Sequence, residues 1–252
     1  MGNIIAIAGK GGTGKTTIAA LIVRALVEKK MGSVLAVDAD PNSNLGQMLG
    51  SESDSTIVGI IDDISKDPAQ IPGGMTKDRY IDLKIQESLS EKSGFDLLSM
   101  GRPEGPGCYC FVNNILRGLI EKLMGNYSYI VIDNEAGMEH LSRRLARDIG
   151  TFLIISDNTV IGIRSADRIS KIVDELSIKI EDRCLILNKA RGSAERLEDE
   201  IKKYGLHLHA VLPLNEEIEL AAIENKTIFD LNDDNPVLGP IKELLYTVST
   251  KS

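Results

Sequence analysis

Three observations predict an α/β fold with a doubly wound, mostly parallel central sheet and helices on both faces. Short β-branched runs alternate with longer amphipathic stretches along most of the chain. Most of the short runs are continuously apolar, which is typical of strands buried on both faces of a parallel sheet. A glycine-rich loop joins the first run to the first long stretch. Because no linker-like segment interrupts the pattern, we expect a single domain over residues 1–252.

The apolar runs give seven strands, and the stretches between them have helical periodicity. The predicted strands are Ile4–Ala8, Ser33–Asp38, Phe95–Ser99, Tyr129–Asp133, Thr151–Ser156, Arg183–Asn188 and Leu208–Leu212. The predicted helices are Lys15–Lys30, Cys110–Met124, Glu139–Asp148, Ile161–Leu176, Ala194–Lys203, Asn215–Glu224 and Val237–Val248. In such a sheet, ligands bind at the carboxyl ends of the strands.

The segment Gly50–Lys92 departs from this alternation, because it is polar and contains several proline and glycine residues. We interpret it as an insertion with one helix, Ile57–Ile64, and one short strand near Ile81–Ile85. Long loop regions in compact domains are often functional, although the sequence does not say what this one does.

The loop after the first strand matches G-x-x-x-x-G-K-[ST] in the strand–loop–helix context that this motif requires. Its glycines let successive backbone N–H groups point into one concavity, and the following helix N-terminus adds positive potential there. We expect Lys15 to reach the β- and γ-phosphates of ATP and the Thr16 hydroxyl to bind Mg²⁺. The predicted nucleotide-binding residues here are Gly9, Lys10, Gly11, Gly12, Thr13, Gly14, Lys15, Thr16 and Thr17.

Two later strands end in carboxylates that would face the same phosphate site. Asp38 and Asp40 end the second predicted strand, where one can hold Mg²⁺ or its water and the other can orient the attacking water. Asp133 ends the fourth strand, and we expect it to contact Mg²⁺ through water. The Gly137 N–H in the following loop would sense the γ-phosphate. As an alternative, either Asp38 or Asp40 could serve only as the N-cap of a helix, but a cap does not explain both carboxylates.

The second lysine of the loop, Lys10, gives K-G-G-T-G-K-T-T, which resembles the deviant Walker A family of P-loop ATPases. This family includes the nitrogenase iron protein, septum-site and plasmid-partition ATPases, and metal-centre maturation ATPases. The resemblance implies a homodimer in which Lys10 contacts the partner subunit's nucleotide. It also assigns the hydrolytic role to Asp40, the aspartate of the D-P pair.

The same resemblance suggests a base pocket beyond the later strands. Asn188, followed by Lys189, stands where family members place an amide on the adenine edge, and an amide offers the paired donor and acceptor that adenine needs. Pro213 and Asn215 follow the last predicted strand and resemble the loop that covers the adenine. Each of these positions could instead be a strand-terminating turn.

The pair Cys108 and Cys110 follows a glycine-rich approach at the start of a predicted helix. Side chains two apart point to one face on extended backbone, and a helix N-terminus favours the thiolate. Thiolates bind Ni²⁺ or Zn²⁺, but two are too few for a closed four-coordinate site. In a homodimer, a twofold axis would supply the second pair. The alternatives are tight packing or a redox pair, and Cys184, within a strand, is expected to be an inert core thiol.

The joint pattern of K-G-G-T-G-K-T-T, D-A-D-P, G-P-G-C-Y-C and D-N-E-A-G-M-E-H-L resembles the CooC/AcsF family. The resemblance implies a cytoplasmic ATPase that hydrolyses ATP as a homodimer and binds nickel at the shared cysteine site. The client would be carbon monoxide dehydrogenase or acetyl-CoA synthase. The pattern fixes neither the client nor the choice between nickel and zinc, nor whether the dimer forms only with ATP.

Three other functions of P-loop ATPases agree less well with these residues. A partition or division ATPase that binds membranes needs a basic amphipathic C-terminal helix, and Ile241–Val248 carries only Lys242 beside Glu243. An iron–sulfur scaffold needs cysteines placed for a cluster. A reductase like the nitrogenase iron protein uses a switch-loop cysteine, whereas this loop reads Asn134-Glu135-Ala136.

Composition agrees with a globular protein that binds neither nucleic acid nor membrane. The net charge is −8, which disfavours unspecific binding to phosphate backbones. No apolar run approaches the roughly 20 residues of a membrane span, and the N-terminus lacks the basic leader of a signal peptide. Three cysteines do not form a disulfide framework, so we expect a reducing cytoplasm.

Overall fold

The computed structural model describes residues 3–42, 44–51, 55–102, 115, 118–123, 125–134, 148–176 and 178–249. Eight strands within these residues form one sheet. They are β1 Asn3–Gly9, β2 Val34–Ala39, β3 Ser90–Lys92, β4 Phe95–Ser99, β5 Tyr129–Asn134, β6 Asp148–Asp157, β7 Lys179–Ala190 and β8 Leu208–Pro213.

The strands are ordered β3-β4-β2-β5-β1-β6-β7-β8, and all neighbours are parallel except β3 and β4. The predicted, mostly parallel sheet is therefore confirmed. After β1 the chain builds the sheet towards β3, and with β6 it returns to the other side of β1. Such a reversal opens a crevice at the carboxyl ends of the strands, where ligands bind in doubly wound folds.

Helices cover both faces of the sheet, as predicted. They are α1 Lys15–Glu28, α2 Leu45–Leu49, α3 Ile57–Lys66, α4 Lys77–Glu87, α5 Val160–Glu175, α6 Glu198–Lys203, α7 Glu216–Ile223 and α8 Leu238–Ser249. One apolar layer joins the sheet to α1, α2 and α8. The other joins it to α3, α4, α5 and the helical residues 118–123. Among the described residues, no helix has both the length and the apolar character needed to cross a membrane.

The central helix α1 is fixed by a buried arginine that the sequence did not single out. The Arg24 guanidinium donates to the carbonyls of Ile228 and Leu231 at 2.8 and 2.9 Å, and it pairs with Asp233 at 2.7 Å. Burial of a charge is tolerated only when it is paired and hydrogen-bonded, as here. Arg24 thereby attaches α1 to the segment that follows α7.

Within the insertion, the predicted helix Ile57–Ile64 is confirmed as α3, but the predicted strand at Ile81–Ile85 is wrong. These residues belong to α4, whose N-cap Thr76 accepts a hydrogen bond from the Arg79 N–H. Ile81 and Ile85 are buried one helical turn apart, while Leu83 is 40% exposed. The alternation of these three apolar residues resembles a strand, yet only a helix places two of them inward and one outward.

Two further predictions differ from the structure or lie partly outside it. The short edge strand β3 has no counterpart among the predicted strands. The predicted helix Glu139–Asp148 lies outside the described residues except for Asp148, which begins β6. Of the predicted helix Cys110–Met124, Ile115 and residues 118–123 are helical, and the rest lies outside the described residues.

Candidate functional site

The glycine-rich loop leaves the end of β1 in the crevice and closes onto the first turn of α1. Gly12 and Gly14 adopt φ values of 81° and 90°, which strain any residue with a Cβ atom. A Cβ atom at Gly9 would lie 2.3 Å from the Ile155 carbonyl oxygen, so only glycine allows the loop to pass β6. Thr13 closes the loop by donating from its hydroxyl to the Lys10 carbonyl at 2.8 Å.

The end of β7 holds this loop from the other side. The Asn188 side-chain amide donates to the Thr13 carbonyl at 2.9 Å, and the Lys189 ammonium donates to the Gly12 carbonyl at 2.9 Å. Both acceptors are loop carbonyls, so these two bonds fix the loop without occupying any of its N–H groups. From the sequence alone, Asn188 is expected to contact a base. Neither the Asn188 bond nor the Lys189 bond to the loop is predicted there. The second N–H of the Asn188 side-chain amide and its carbonyl oxygen take part in neither bond, so they can contact a base.

The two lysines of the loop differ in environment. Lys15, in the first turn of α1, is 7% exposed, whereas Lys10 is exposed. Thr16 and Thr17 are half-buried beside Lys15. A buried lysine at a helix N-terminus is a strong anion-binding arrangement, because the helix dipole and the ammonium act at one place. Lys10 lies in the loop before α1, and its side chain is exposed at the protein surface.

Asp38 and Asp133 lie opposite each other at the ends of β2 and β5, and both are fully buried. Burial, together with the neighbouring Asp133 carboxylate, raises the pKa of Asp38 to about 7. Burial also raises the pKa of Asp133 to about 6, a shift that the Thr16 hydroxyl and the Lys15 ammonium partly oppose. Two adjacent buried carboxylates are costly unless a cation neutralises them.

The two carboxylates differ in their hydrogen bonds. Asp38 accepts from the N–H of Leu45 at 2.9 Å and from the N–H of Asp40 at 3.2 Å. Asp133 has weaker partners: among the described residues no donor meets either of its oxygens at full hydrogen-bond geometry, and the nearby Thr16 hydroxyl only partly offsets its burial. Buried polar atoms are rarely left unpaired in folded proteins, so this carboxylate fits a hydrated divalent cation that would fill its lone pairs.

Asp40 lies beyond the end of β2 and is half-buried. It accepts from the N–H and from the side-chain amide of Asn42, both at 2.9 Å, which fixes the turn that leads to α2. Asn134, another polar residue that the sequence did not single out, donates from its amide to the Ile7 carbonyl at 2.8 Å. This bond fastens the end of β5 to β1, directly before the glycine-rich loop.

Pro213 and Asn215 lie at the same edge of the sheet, because Pro213 pairs with Ala190 at the end of β7. Asn215 caps α7 by accepting from the Ile218 N–H at 3.1 Å, and its amide exchanges hydrogen bonds with Asn235. The turn therefore has a structural role, and its contact with a base stays a prediction.

The remaining candidate residues, Cys108, Cys110 and Gly137, lie outside the described residues. Cys184 is buried in β7, and its sulfur is 4.0 Å from His207 Nδ1. Within the described residues, no group of three or more histidine, cysteine or acidic side chains is placed to hold a metal ion.

We predict that Asn188→Ala lowers nucleotide affinity by roughly fivefold, since one buried hydrogen bond contributes on the order of 1 kcal/mol. If Asn188 acts by holding the loop, affinity for ATP and for inorganic triphosphate falls equally. A loss confined to ATP would instead assign the amide to the base. Isothermal titration calorimetry measures both ligands, with the exposed Gln86→Ala on α4 as the control.

The chain is similar to known nucleotide-binding proteins along most of its length. The family model of the CobQ/CobB/MinD/ParA nucleotide binding domain matches residues 4–228. An uncharacterized ATP-binding protein of Methanocaldococcus jannaschii is 42% identical over 98% of this chain and 99% of its own length. The carbon monoxide dehydrogenase accessory protein CooC of Rhodospirillum rubrum is 28% identical over 73% of each chain.

A solved structure shares the fold. The septum site-determining protein MinD of Pyrococcus horikoshii, complexed with Mg-ADP, superposes with a TM-score of 0.69 at 19% identity, over 99% of this chain and 98% of that one. The family match covers most of the residues that form the sheet and its glycine-rich loop. The chain therefore belongs to the CobQ/CobB/MinD/ParA family of nucleotide-binding domains, whose members are P-loop ATPases.

Proposed function

We propose that this protein is an ATP-dependent metallochaperone. In this proposal a single-domain, cytoplasmic chain hydrolyses ATP as a homodimer and carries nickel at a Cys108/Cys110 site shared between subunits. The client is carbon monoxide dehydrogenase or acetyl-CoA synthase. The C-Y-C pair is the observation that carries the proposal, and the similarity to CooC supports it.

The crevice supports ATP with Mg²⁺ as the ligand of this ATPase. Thr16, Asp38 and Asp133 would hold the ion, directly or through water, and its charge would stabilise the transferring phosphoryl group. Asp133 fits this role because it is fully buried and, among the described residues, only the nearby Thr16 hydroxyl and Lys15 ammonium partly offset its charge. Lys15 would bind the β- and γ-phosphates, and Asp40 would orient the attacking water.

Exposed groups at the crevice support a homodimer. Lys10 is exposed on the glycine-rich loop. At the N-terminus of α5, Val160 and Ile161 are 40% and 67% exposed. They follow the end of β6, where Asp157 pairs with Asn188 of β7, so they lie at the same edge of the sheet as the loop. A second subunit over this edge would cover the apolar pair and receive Lys10 at its nucleotide.

Helix α8 gives no support to the alternative of a membrane-positioning ATPase. Helix α8 buries Ile241, Leu244 and Leu245 against the sheet and α1. These three side chains are therefore packed in the core and are not available for insertion into lipid.

The metal assignment is tested with a double Cys108→Ala, Cys110→Ala variant. We expect the purified wild-type dimer to bind about one Ni²⁺ or Zn²⁺ ion, as four thiolates form one tetrahedral site. The double variant should lose this ion and still bind ATP. Equilibrium dialysis with metal analysis measures the ion, and nucleotide titration measures the fold of the site.

Cys184→Ala is the matched control, since it removes the buried thiol of β7 and should leave metal binding unchanged. Nickel affinity that is equal in the wild type and the double variant would refute the shared cysteine site.

A further inference from the structure

The outer face of helix α7 is a stripe of acidic and apolar side chains. It consists of Glu216, Glu219, Leu220 and Ile223, which recur at the three- and four-residue spacing of one helix face. Leu220 and Ile223 are 53% and 79% exposed. Both glutamates are exposed, and neither carboxylate has a hydrogen bond or ion pair among the described residues. Adjacent large apolar side chains within a charged rim are typical of a protein-binding surface.

The outer face of helix α5 carries a stripe of the opposite charge. Its exposed members, at spacings of three, four and three residues, are Ile161, Arg164, Arg168 and Lys171. Arg164 already pairs with Glu200 at 3.2 Å, and Lys171 pairs with Asp167 at 2.7 Å. The Arg168 guanidinium has no ion pair among the described residues. Arg168 is therefore the cation of this stripe that can bind a carboxylate of another chain.

The two stripes match each other when their helices run antiparallel. Ile161 and Arg168 are seven residues apart on α5, which is about 10.5 Å along the helix axis. Glu216 and Ile223 have the same separation on α7. The antiparallel alignment places Ile161 against Ile223. It also places Arg168 against Glu216, with Glu219 one turn away on the same face. Apolar contact and charge pairing therefore coincide in one register of the two helices.

This pairing cannot form within one chain, because α5 and α7 lie on opposite faces of the sheet. Ile163 of α5 belongs to the apolar layer of α3 and α4, whereas Ala221 of α7 belongs to the layer of α1 and α2. Helix α5 begins after Asp157 of β6, and α7 begins after Pro213 of β8. Both helices therefore start at the carboxyl edge of the sheet, which is the edge that a second subunit covers in the proposed homodimer.

We propose that α5 of one subunit packs against α7 of a second copy of this chain. A twofold axis repeats this pairing, so each dimer contains it twice. Ile161 and Ile223 form its apolar part. Arg168 forms its ionic part with Glu216 and Glu219, and this ionic part sets the register of the two helices. The inference rests on the proposed homodimer and names the surface by which it forms.

Reversal of single charges in the full-length protein tests the pairing. Sedimentation equilibrium at about 0.15 M salt measures the dissociation constant of the dimer, with Mg²⁺ and a non-hydrolysable ATP analogue. Arg168→Glu places like carboxylates together in both contacts of the dimer, and Glu216→Arg places like guanidinium groups together. We expect each variant alone to dimerise at least about tenfold more weakly than the wild type. Both should unfold at nearly the wild-type temperature, because the two side chains are exposed.

An equimolar mixture of the two variants separates a specific contact from a damaged fold. The mixed dimer has one unchanged contact and one contact in which the two charges are exchanged. We therefore expect it to form with a dissociation constant within about threefold of the wild type. The double variant Arg168→Glu, Glu216→Arg should dimerise equally well. The controls Arg79→Glu and Asp78→Arg reverse exposed charges on α4, which carries neither stripe, and each should leave dimerisation unchanged.

The outcomes separate this inference from the proposed function. A dimeric wild type that neither reversal weakens, or a mixture that dimerises no better than its components, would overturn the pairing and leave the proposed homodimer standing. A wild type that is monomeric with both ADP and the ATP analogue would remove the homodimer and the pairing with it. Assemblies larger than a dimer would also contradict the pairing, because a twofold contact closes on itself.

Discussion

Lys15→Ala is expected to lower ATP turnover by at least about 100-fold, which is the usual loss when one preorganised charge at a reacting group is removed. Lys15 is 7% exposed in the first turn of α1, so its ammonium is held at the loop by the fold. Alanine is the best helix former, and the variant should therefore fold normally. Phosphate release measures turnover, and circular dichroism with thermal unfolding measures the fold.

Lys202→Ala is the control for the loss of a lysine, because Lys202 is exposed on α6 and pairs only with Glu198 among the described residues. Its turnover should equal that of the wild type. Normal turnover in a folded Lys15→Ala protein would contradict the phosphate-binding role of Lys15 and of the loop as a whole.

Asp133→Asn is expected to have two opposite effects: it stabilises the nucleotide-free protein near pH 8 and nearly abolishes Mg²⁺-dependent turnover. The folded-state pKa of Asp133 is about 6, above its ordinary value of 3.8. The charged form is therefore disfavoured by folding, at a cost of about 1–3 kcal/mol for a buried group of this kind. Asparagine has the same shape without the charge, and it cannot hold a divalent ion in the same way.

The pH dependence has a definite sign. Well below pH 3.8 the carboxyl is neutral in both states, so it adds no penalty. As the pH rises through 4 to 7, the unfolded chain releases the proton first, and wild-type stability falls. Asp38, with a pKa of about 7, adds to this fall and extends it slightly. The advantage of Asp133→Asn should thus appear at pH 8 and vanish near pH 3.

Urea unfolding of the nucleotide-free proteins at these two pH values measures the difference between the variant and the wild type. The exposed Asp63→Asn on α3 should show no such difference. A variant that is equally destabilised at both pH values would mean that Asp133 is not a strained, uncompensated charge. Added Mg²⁺ with nucleotide should stabilise the wild type and have little effect on Asp133→Asn.

Much of the fold could be predicted from the sequence, because its signals are local. The apolar runs of β1, β5 and β6 are long enough to specify buried strands, and Gly9 to Thr16 specifies the loop that follows β1. The strand that was wrongly predicted at Ile81–Ile85 shows the limit of a local signal. Three alternating apolar residues fit a strand or one face of a helix, and packing against α3 decides between them.

The sequence by itself determined the doubly wound sheet, because its strands are continuous apolar runs that alternate with helical stretches, and the spacing of glycine, lysine and carboxylate predicted which residues form a phosphate site. Only the tertiary structure decided how these residues act on one another. The pairing of β2 with β5 places Asp38 beside Asp133, and burial raises the pKa of both carboxyl groups. The contacts of Asn188 and Lys189 with loop carbonyls span about 175 residues of chain, which no local pattern encodes. Distances between remote residues depend on how the whole chain packs, so they emerge only when the sheet is assembled.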